Sequence, residues 1–498
     1  MPLNISLFVT LISRLHDWMK TMLQRIHPWM TIALEGRIQN NRTIASLDGV
    51  RAIACLTVIG YHISLITRDT HLWSPTAPGT LHHIFSSIVL SGASGVTLFF
   101  VLSGFLLFMP FCKAMLFETI WPSTITFYLR RAFRILPGYY VVLLSILLIS
   151  HPEYLHVNHW QNVTLFFTLF MDATPATFQQ INGPFWTLAV EWQFYLLLPL
   201  LMIAFSLLVL RIPRCWRVYA LVACLAGVVA WGIWSRTWGM YYTANTTQTF
   251  LVPRPIYNVF LFFTYGVGGK YLEDFAIGML VSLMYIYVLR AASPGKFTGI
   301  LRRLSPLLFF VGLVVLLMMA LWRYDVRYFN SWPFLDAYPT LLYNTISEAC
   351  LAGGFGLCIL AILLGPSWLR RPFEWSPLRW IGLISYSLYM LHLPLLIFFM
   401  VNVSYQIQGL NRHLGISLYL LWTLCVIFPV SFLSFLLVEK PWVELGNKLL
   451  KKGKKDAKPK MDTHSTVNST SGSQVSIKGL EIFLHRLNEY VRHWDSTG

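Results

Sequence analysis

Charge is what this sequence lacks. Only 12% of its 498 residues are Asp, Glu, Lys or Arg, against about 25% in soluble globular domains. Acidic groups are the scarcest, with 21 Asp and Glu against 38 Lys and Arg. A chain so long and so poor in charge is not an ordinary soluble protein. Cysteine is sparse as well: Cys55, Cys112, Cys215, Cys224, Cys350, Cys358 and Cys425 make an odd number with no CxxC. Their spacing offers neither a disulfide framework nor a zinc site, and they read as small packing residues. No repeat relates the two halves, which leaves a transporter built from internal repeats unsupported. No cleavable leader is expected either, because Arg14 interrupts what would be its apolar stretch.

What is there is apolar length. Hydrophobic residues make up 56% of the chain, with 19 Trp among them, and they come in runs long enough to cross a bilayer. Ten membrane helices are expected, near 46–67, 84–111, 135–151, 186–210, 216–235, 271–291, 305–322, 341–365, 380–402 and 415–438. The third is short for a crossing. A further apolar piece, 160–171, is too short to span and reads as re-entrant or interfacial. The expected fold is therefore all-α, a polytopic transmembrane helix bundle.

The loops alternate in charge. Arg14, Lys20, Arg25, Arg37 and Arg42 precede the first helix, and Lys113, Arg130, Arg131 and Arg134 follow the second. Arg211, Arg214 and Arg217, then Lys296, Arg302 and Arg303, then Arg370, Arg371 and Arg379 fill every second loop thereafter. The intervening loops hold His71, His82, His83, His151, His156 and His159 instead, which read as solvated side chains and not as metal ligands. Basic loops stay cytoplasmic, so both termini are expected in the cytoplasm. The same bias accounts for the net charge of +17. It implies anionic membrane lipid as a partner and no nucleic acid.

Three regions follow. Residues 1–43 form an N-terminal segment in which 5–26 carries apolar side chains at helical spacing, as in a surface helix. Residues 44–445 form the membrane domain. Residues 446–498 are a basic cytoplasmic tail with seven Lys in 448–460, a Ser/Thr-rich linker and an amphipathic stretch at 478–494.

Ionisable groups inside a membrane are costly and tend to line cavities. Arg51 and His62, eleven positions apart on the first helix, share one face and are separated by about 16 Å along the axis. That suits a ligand with phosphates near the cytoplasm and a reactive end deep in the bilayer. A snorkelling Arg51 and a buried hydrogen-bonding His62 would give the same pattern. Arg131 and Arg134, three apart, share a face and match phosphate, or serve as membrane anchors. Glu191 lies within an apolar helix and needs a partner, an arginine, a histidine or water; it could orient His62, pair with an arginine or form a purely structural ion pair. Tyr386, Tyr389 and His392 recur every three residues, consistent with a cavity wall. Gly92, Gly95 and Gly104 mark close helix approach, and Ser103 adds a hydroxyl.

Taken in order, LDGVRA with His62, FFVLSGFLL, RRAFRILP, FWTLAVEWQFYLLLP, ISYSLYMLHLPL and VEKP resemble the membrane-bound acyltransferase-3 family, from about 44 to about 445. The resemblance implies an O-acyltransferase. Its central Arg–His motif falls on Arg51 and His62, its Arg-x-x-Arg on Arg131 and Arg134, and its Glu on Glu191. An acyl group, expected to be acetyl, passes from cytoplasmic acyl-CoA to a hydroxyl of a glycan or metabolite. In this expectation Arg51, Arg131 and Arg134 bind the donor's phosphates, while His62 acts as general base or is itself acylated. Glu191 sets the histidine tautomer or buttresses an arginine. Ser103 and Tyr389 are candidate oxyanion donors, and no metal is required. The plasma (inner) membrane is the expected location. Two other classes stay open: a proton-coupled transporter with a His62–Glu191 relay, and a non-catalytic scaffold.

Overall fold

The structure is a computed structural model and describes residues 44–69, 81–290, 296–328, 339–403 and 412–456. The amphipathic stretches expected at 5–26 and 478–494 lie outside the described residues. Among the described residues there are no strands, and ten helical segments are long and apolar enough to cross a membrane. The protein is a multi-pass integral membrane protein.

Helix α1 is Ala45–Asp69. The second crossing is broken: α2 (Leu81–Leu90) meets α3 (Gly95–Phe117) through a tight turn at Ser91–Ser94. α4 runs Thr124–Ile149. It begins eleven residues before the expected start, because Arg130, Arg131 and Arg134 ride on its first turns and hide them from an apolarity count. A short helix, α5 (Trp160–Phe167), occupies the apolar piece that was too short to span. Then come α6 (Phe185–Val209), α7 (Arg217–Ala244), the short α8 (Arg254–Thr264), α9 (Leu272–Arg290), α10 (Lys296–Tyr328), α11 (Pro339–Leu364) and α12 (Ser376–Asn402). The last crossing joins α13 (Arg412–Trp422), α14 (Phe428–Ser434) and α15 (Lys440–Asp456) through π-helical turns at Thr423–Ile427 and Phe435–Glu439. The second π turn sits where the buried Glu439 accepts from Ser387 Oγ at 3.3 Å; such turns are frequent at functional sites.

Lipid is as apolar as a leucine side chain, so helices associate by close packing and by polar contacts. Small residues supply the first. A methyl group built on Gly104 of α3 would lie 2.1 Å from the Phe275 carbonyl oxygen of α9. One built on Gly278 of α9 would lie 2.1 Å from the Val101 carbonyl oxygen of α3. Gly92 and Gly95 press in the same way on the Thr57 and Ala54 carbonyls of α1. The close approach expected of these three glycines is present. All seven cysteines are free.

Polar contacts fix the helices around the site. Pro394 has no N–H, which leaves the carbonyl four residues earlier without its helical donor. That carbonyl belongs to Met390, and Asn182 Nδ2 donates to it at 3.0 Å. Tyr386 donates to the Ile135 carbonyl (2.6 Å) and joins α12 to α4. At the basic-loop end, Glu118 accepts from Arg217 at 3.0 Å and from Arg214. Hydrogen bonds from Arg217 and then Arg214 hold its carboxyl below the usual carboxylate range.

Gly104→Ala should destabilise the bundle by about 1–3 kcal/mol through forced separation of α3 and α9. Gly227→Ala meets nothing within 4 Å and should be neutral. Thermal melting of the two variants in the same detergent checks this.

Candidate active site in the membrane interior

His62 lies on α1 and meets His392 of α12, 330 positions away. His392 Nε2 is 3.1 Å from His62 Nδ1, and the ring centroids are 4.9 Å apart. His392 is fully buried, whereas His62 is half-buried. The contacts decide the tautomers. His392 Nδ1 lies 2.7 Å from the Tyr389 carbonyl, and a carbonyl only accepts, so this nitrogen carries the proton. With a neutral ring, Nε2 is then an acceptor. His62 Nδ1 faces that acceptor and also the Val58 carbonyl at 3.0 Å, so it must donate. His62 is left with an unprotonated Nε2, a free lone pair inside the membrane.

A pocket opens beside this pair. It is lined by Arg51 of α1, Ser103 of α3, Arg131 and Arg134 of α4, Thr187, Glu191 and Tyr195 of α6, and Ser385, Tyr386 and Tyr389 of α12, with Phe99, Phe100 and aliphatic side chains between. It encloses about 760 Å³, its open mouth included. Glu191 accepts from Ser103 Oγ (2.6 Å) and from the Tyr195 hydroxyl (2.5 Å). The guanidinium of Arg131 sits over the Tyr195 ring, 5.9 Å from its centroid, and its Nε is buried with no hydrogen-bond partner. A guanidinium with donor capacity to spare, at the wall of a pocket, is suited to an anionic ligand. Tyr389 links pocket and histidines. Its hydroxyl hydrogen-bonds Thr187 Oγ1 at 2.8 Å, and its carbonyl holds His392.

The residues 44–438 match a family model described as the acyltransferase domain. The chain belongs to that acyltransferase family. It is 25% identical over 376 residues to the peptidoglycan O-acetyltransferase OatA of Listeria monocytogenes, covering 72% of this chain and 50% of that protein. It is 22% identical over 417 residues to the putative peptidoglycan O-acetyltransferase YrhL of Bacillus subtilis, covering 81% and 56%. It is 24% identical over 438 residues to a putative O-acetyltransferase of Staphylococcus aureus, covering 82% and 59%. The chain thus spans a little over half the length of these curated relatives. No solved structure matches it significantly.

Within this member of the acyltransferase family, Arg51, Arg131, Arg134 and Glu191 line one pocket, as do Ser103 and Tyr389. His62 stands outside that lining and touches His392, not Glu191. Glu191 is occupied by two hydroxyls on the α3 and α6 side. Of the histidines between the basic loops, His151 pairs with Glu153 (2.9 Å) and His82 contacts Ser86 (3.3 Å). The histidine partnership escaped sequence reasoning because 330 positions separate its members. The three-residue polar stripe on α12 was its one trace.

The tautomer is testable. In ¹⁵N-histidine-labelled protein, His62 should give the Nδ1-protonated signature with an unprotonated Nε2. His392→Leu should turn it into a tautomer mixture, whereas His392→Gln, which keeps a carbonyl acceptor, should preserve it. An Nε2-protonated His62 in the unaltered protein would contradict the assignment.

Proposed function

We propose that this chain is an O-acetyltransferase of the plasma membrane, moving an acetyl group from acyl-CoA to a hydroxyl of a glycan or small-molecule acceptor. The observation that carries the reading is the lone pair of His62 Nε2, fixed by His392 beside a pocket rich in arginine. Family membership and the O-acetyltransferase names of the relatives agree with it.

Acyl-CoA enters from the basic-loop end. Arg131 and Arg134, with Arg51, pair with its phosphates, and the spare donor of Arg131 is suited to this. The roughly 16 Å from Arg51 to His62 along α1 lets the pantetheine arm carry the thioester inward. His62 Nε2 takes the proton of the acceptor hydroxyl as the oxygen attacks the thioester carbon. The C–S bond breaks, and the leaving thiolate recovers that proton from His62. The products are an uncharged thiol on CoA and an uncharged ester on the acceptor, and His62 returns to its starting tautomer. The same lone pair serves as the nucleophile if transfer runs through an acetylated His62. Glu191 acts by position: it holds the Tyr195 hydroxyl, whose ring faces Arg131. No metal takes part in this scheme.

Purified protein in nanodiscs, given radiolabelled acetyl-CoA and a crude glycan and metabolite extract, tests the reading. His62→Ala should lower label transfer by about 10²–10⁴-fold, the contribution of a positioned general base. Arg131→Ala should raise the KM for acetyl-CoA by about tenfold or more, as expected for a lost charge-assisted hydrogen bond. Equal transfer by the His62→Ala protein would remove that histidine from the chemistry. Absence of any turnover, with proton-driven uptake in vesicles, would favour transport instead.

A further inference from the structure

A second cavity lies away from the active-site pocket, on the side of the bundle where the α10 crossing is mostly exposed. There α9, α10 and α11 wall a trough of about 990 Å³, its open side included. Leu301, Leu308 and Val315 line it from α10. They recur every seven residues, so they share one face and run about 21 Å along the axis. Met284 of α9 and Cys350 and Gly353 of α11 line it as well. Every lining residue is aliphatic, glycine, methionine or cysteine. None offers a hydroxyl, an amide or a charge, so a polar ligand would lose its hydration without gaining a hydrogen bond.

The trough exists because α11 lacks side chains where it passes its neighbours. A methyl group built on Gly354 would touch Leu316 at 3.0 Å, and one built on Gly356 would touch Val281 at 3.1 Å. Those two glycines serve close helix approach. A methyl group built on Gly353, next to them, meets nothing within 4 Å. Here the missing side chain leaves a gap. Apolar walls around a gap forfeit dispersion contacts, and the fluid outside this one is hydrocarbon. Position along the helix then selects the lipid. The α10 crossing runs Gly299–Tyr328, so 301–315 is the half beside the basic loop. The hydrocarbon of one leaflet is about 15 Å deep, half of the whole core, and the trough covers that depth from headgroup level downward. At its upper end Arg302 and Arg303 follow directly on Leu301, and both are exposed. Two cations at headgroup level favour an anionic lipid over a zwitterionic one.

We propose that this trough is a binding site for an anionic phospholipid. One acyl chain lies along Leu301, Leu308 and Val315 and passes over Gly353, while Arg302 and Arg303 hold the phosphate headgroup. The lipid fills the gap and ties α9, α10 and α11 together. The site does not depend on the acetyl-transfer reading.

The probe is phosphatidylglycerol carrying a photoactivatable diazirine in one acyl chain, present in trace amount in phosphatidylcholine nanodiscs that hold the full chain. After irradiation, label should concentrate on the trough-lining stretches of α9, α10 and α11. Unlabelled phosphatidylglycerol should compete it away, whereas inorganic phosphate or added phosphatidylcholine should not. Gly353→Leu and Met284→Trp fill the trough from two different helices, and each should remove the label. Gly353→Ala, too small to fill it, should keep it. Arg302→Gln and Arg303→Gln, at exposed positions that spare the fold, should each lower the preference for phosphatidylglycerol over phosphatidylcholine by about fivefold, the contribution of one basic residue at an anionic headgroup. Melting temperatures show which variants are folded. Label spread evenly over the ten crossings, or retained in both folded trough-filling variants, would overturn the site. Preference unmoved in both arginine variants would overturn the anionic assignment. Cross-linked dimers joined through α10 would give the trough to a second copy of the chain and overturn the lipid.

Discussion

Inside a bilayer a polar group finds its hydrogen-bond partner in the protein or goes without, and an unmet group there costs several kcal/mol. The centre of this bundle is arranged by that requirement. The carbonyl that Pro394 leaves without a helical donor is taken by Asn182. The Tyr389 carbonyl accepts a hydrogen bond from His392 Nδ1, and His392 Nε2 accepts one from His62 Nδ1. The last two contacts are linked through His392, and together they leave His62 with a lone pair. The reactivity assigned to this residue is the remainder of a chain of satisfied neighbours.

The same requirement separates the arginines into two kinds. Arg217 and Arg236 are bonded to Glu118 and Glu273 and hold helices together. Arg131 is of the other kind: its buried Nε has no hydrogen-bond partner among the described residues.

Much of the architecture was legible because apolar runs are long and basic loops recur in every second connection. Ten crossings emerged in the right places. The start of α4 did not, since Arg130, Arg131 and Arg134 break the apolar pattern while remaining helical. Arg51, Arg131, Arg134 and Glu191 could be named from type and spacing along single helices, and all four reach one pocket. The partner of His62 could not, because a contact between α1 and α12 leaves no spacing signal.

Tyr389 deserves a pharmacological reading. Its hydroxyl is fastened to Thr187 inside the pocket, while its backbone carbonyl fixes the proton on His392 outside it. A small molecule wedged between Thr187 and Tyr389 would twist that stretch of α12 and disturb the histidine pair without approaching either imidazole. Inhibition could therefore be achieved through a neutral contact, free of the charge needed to compete at the arginines and so better able to cross the membrane that surrounds its target.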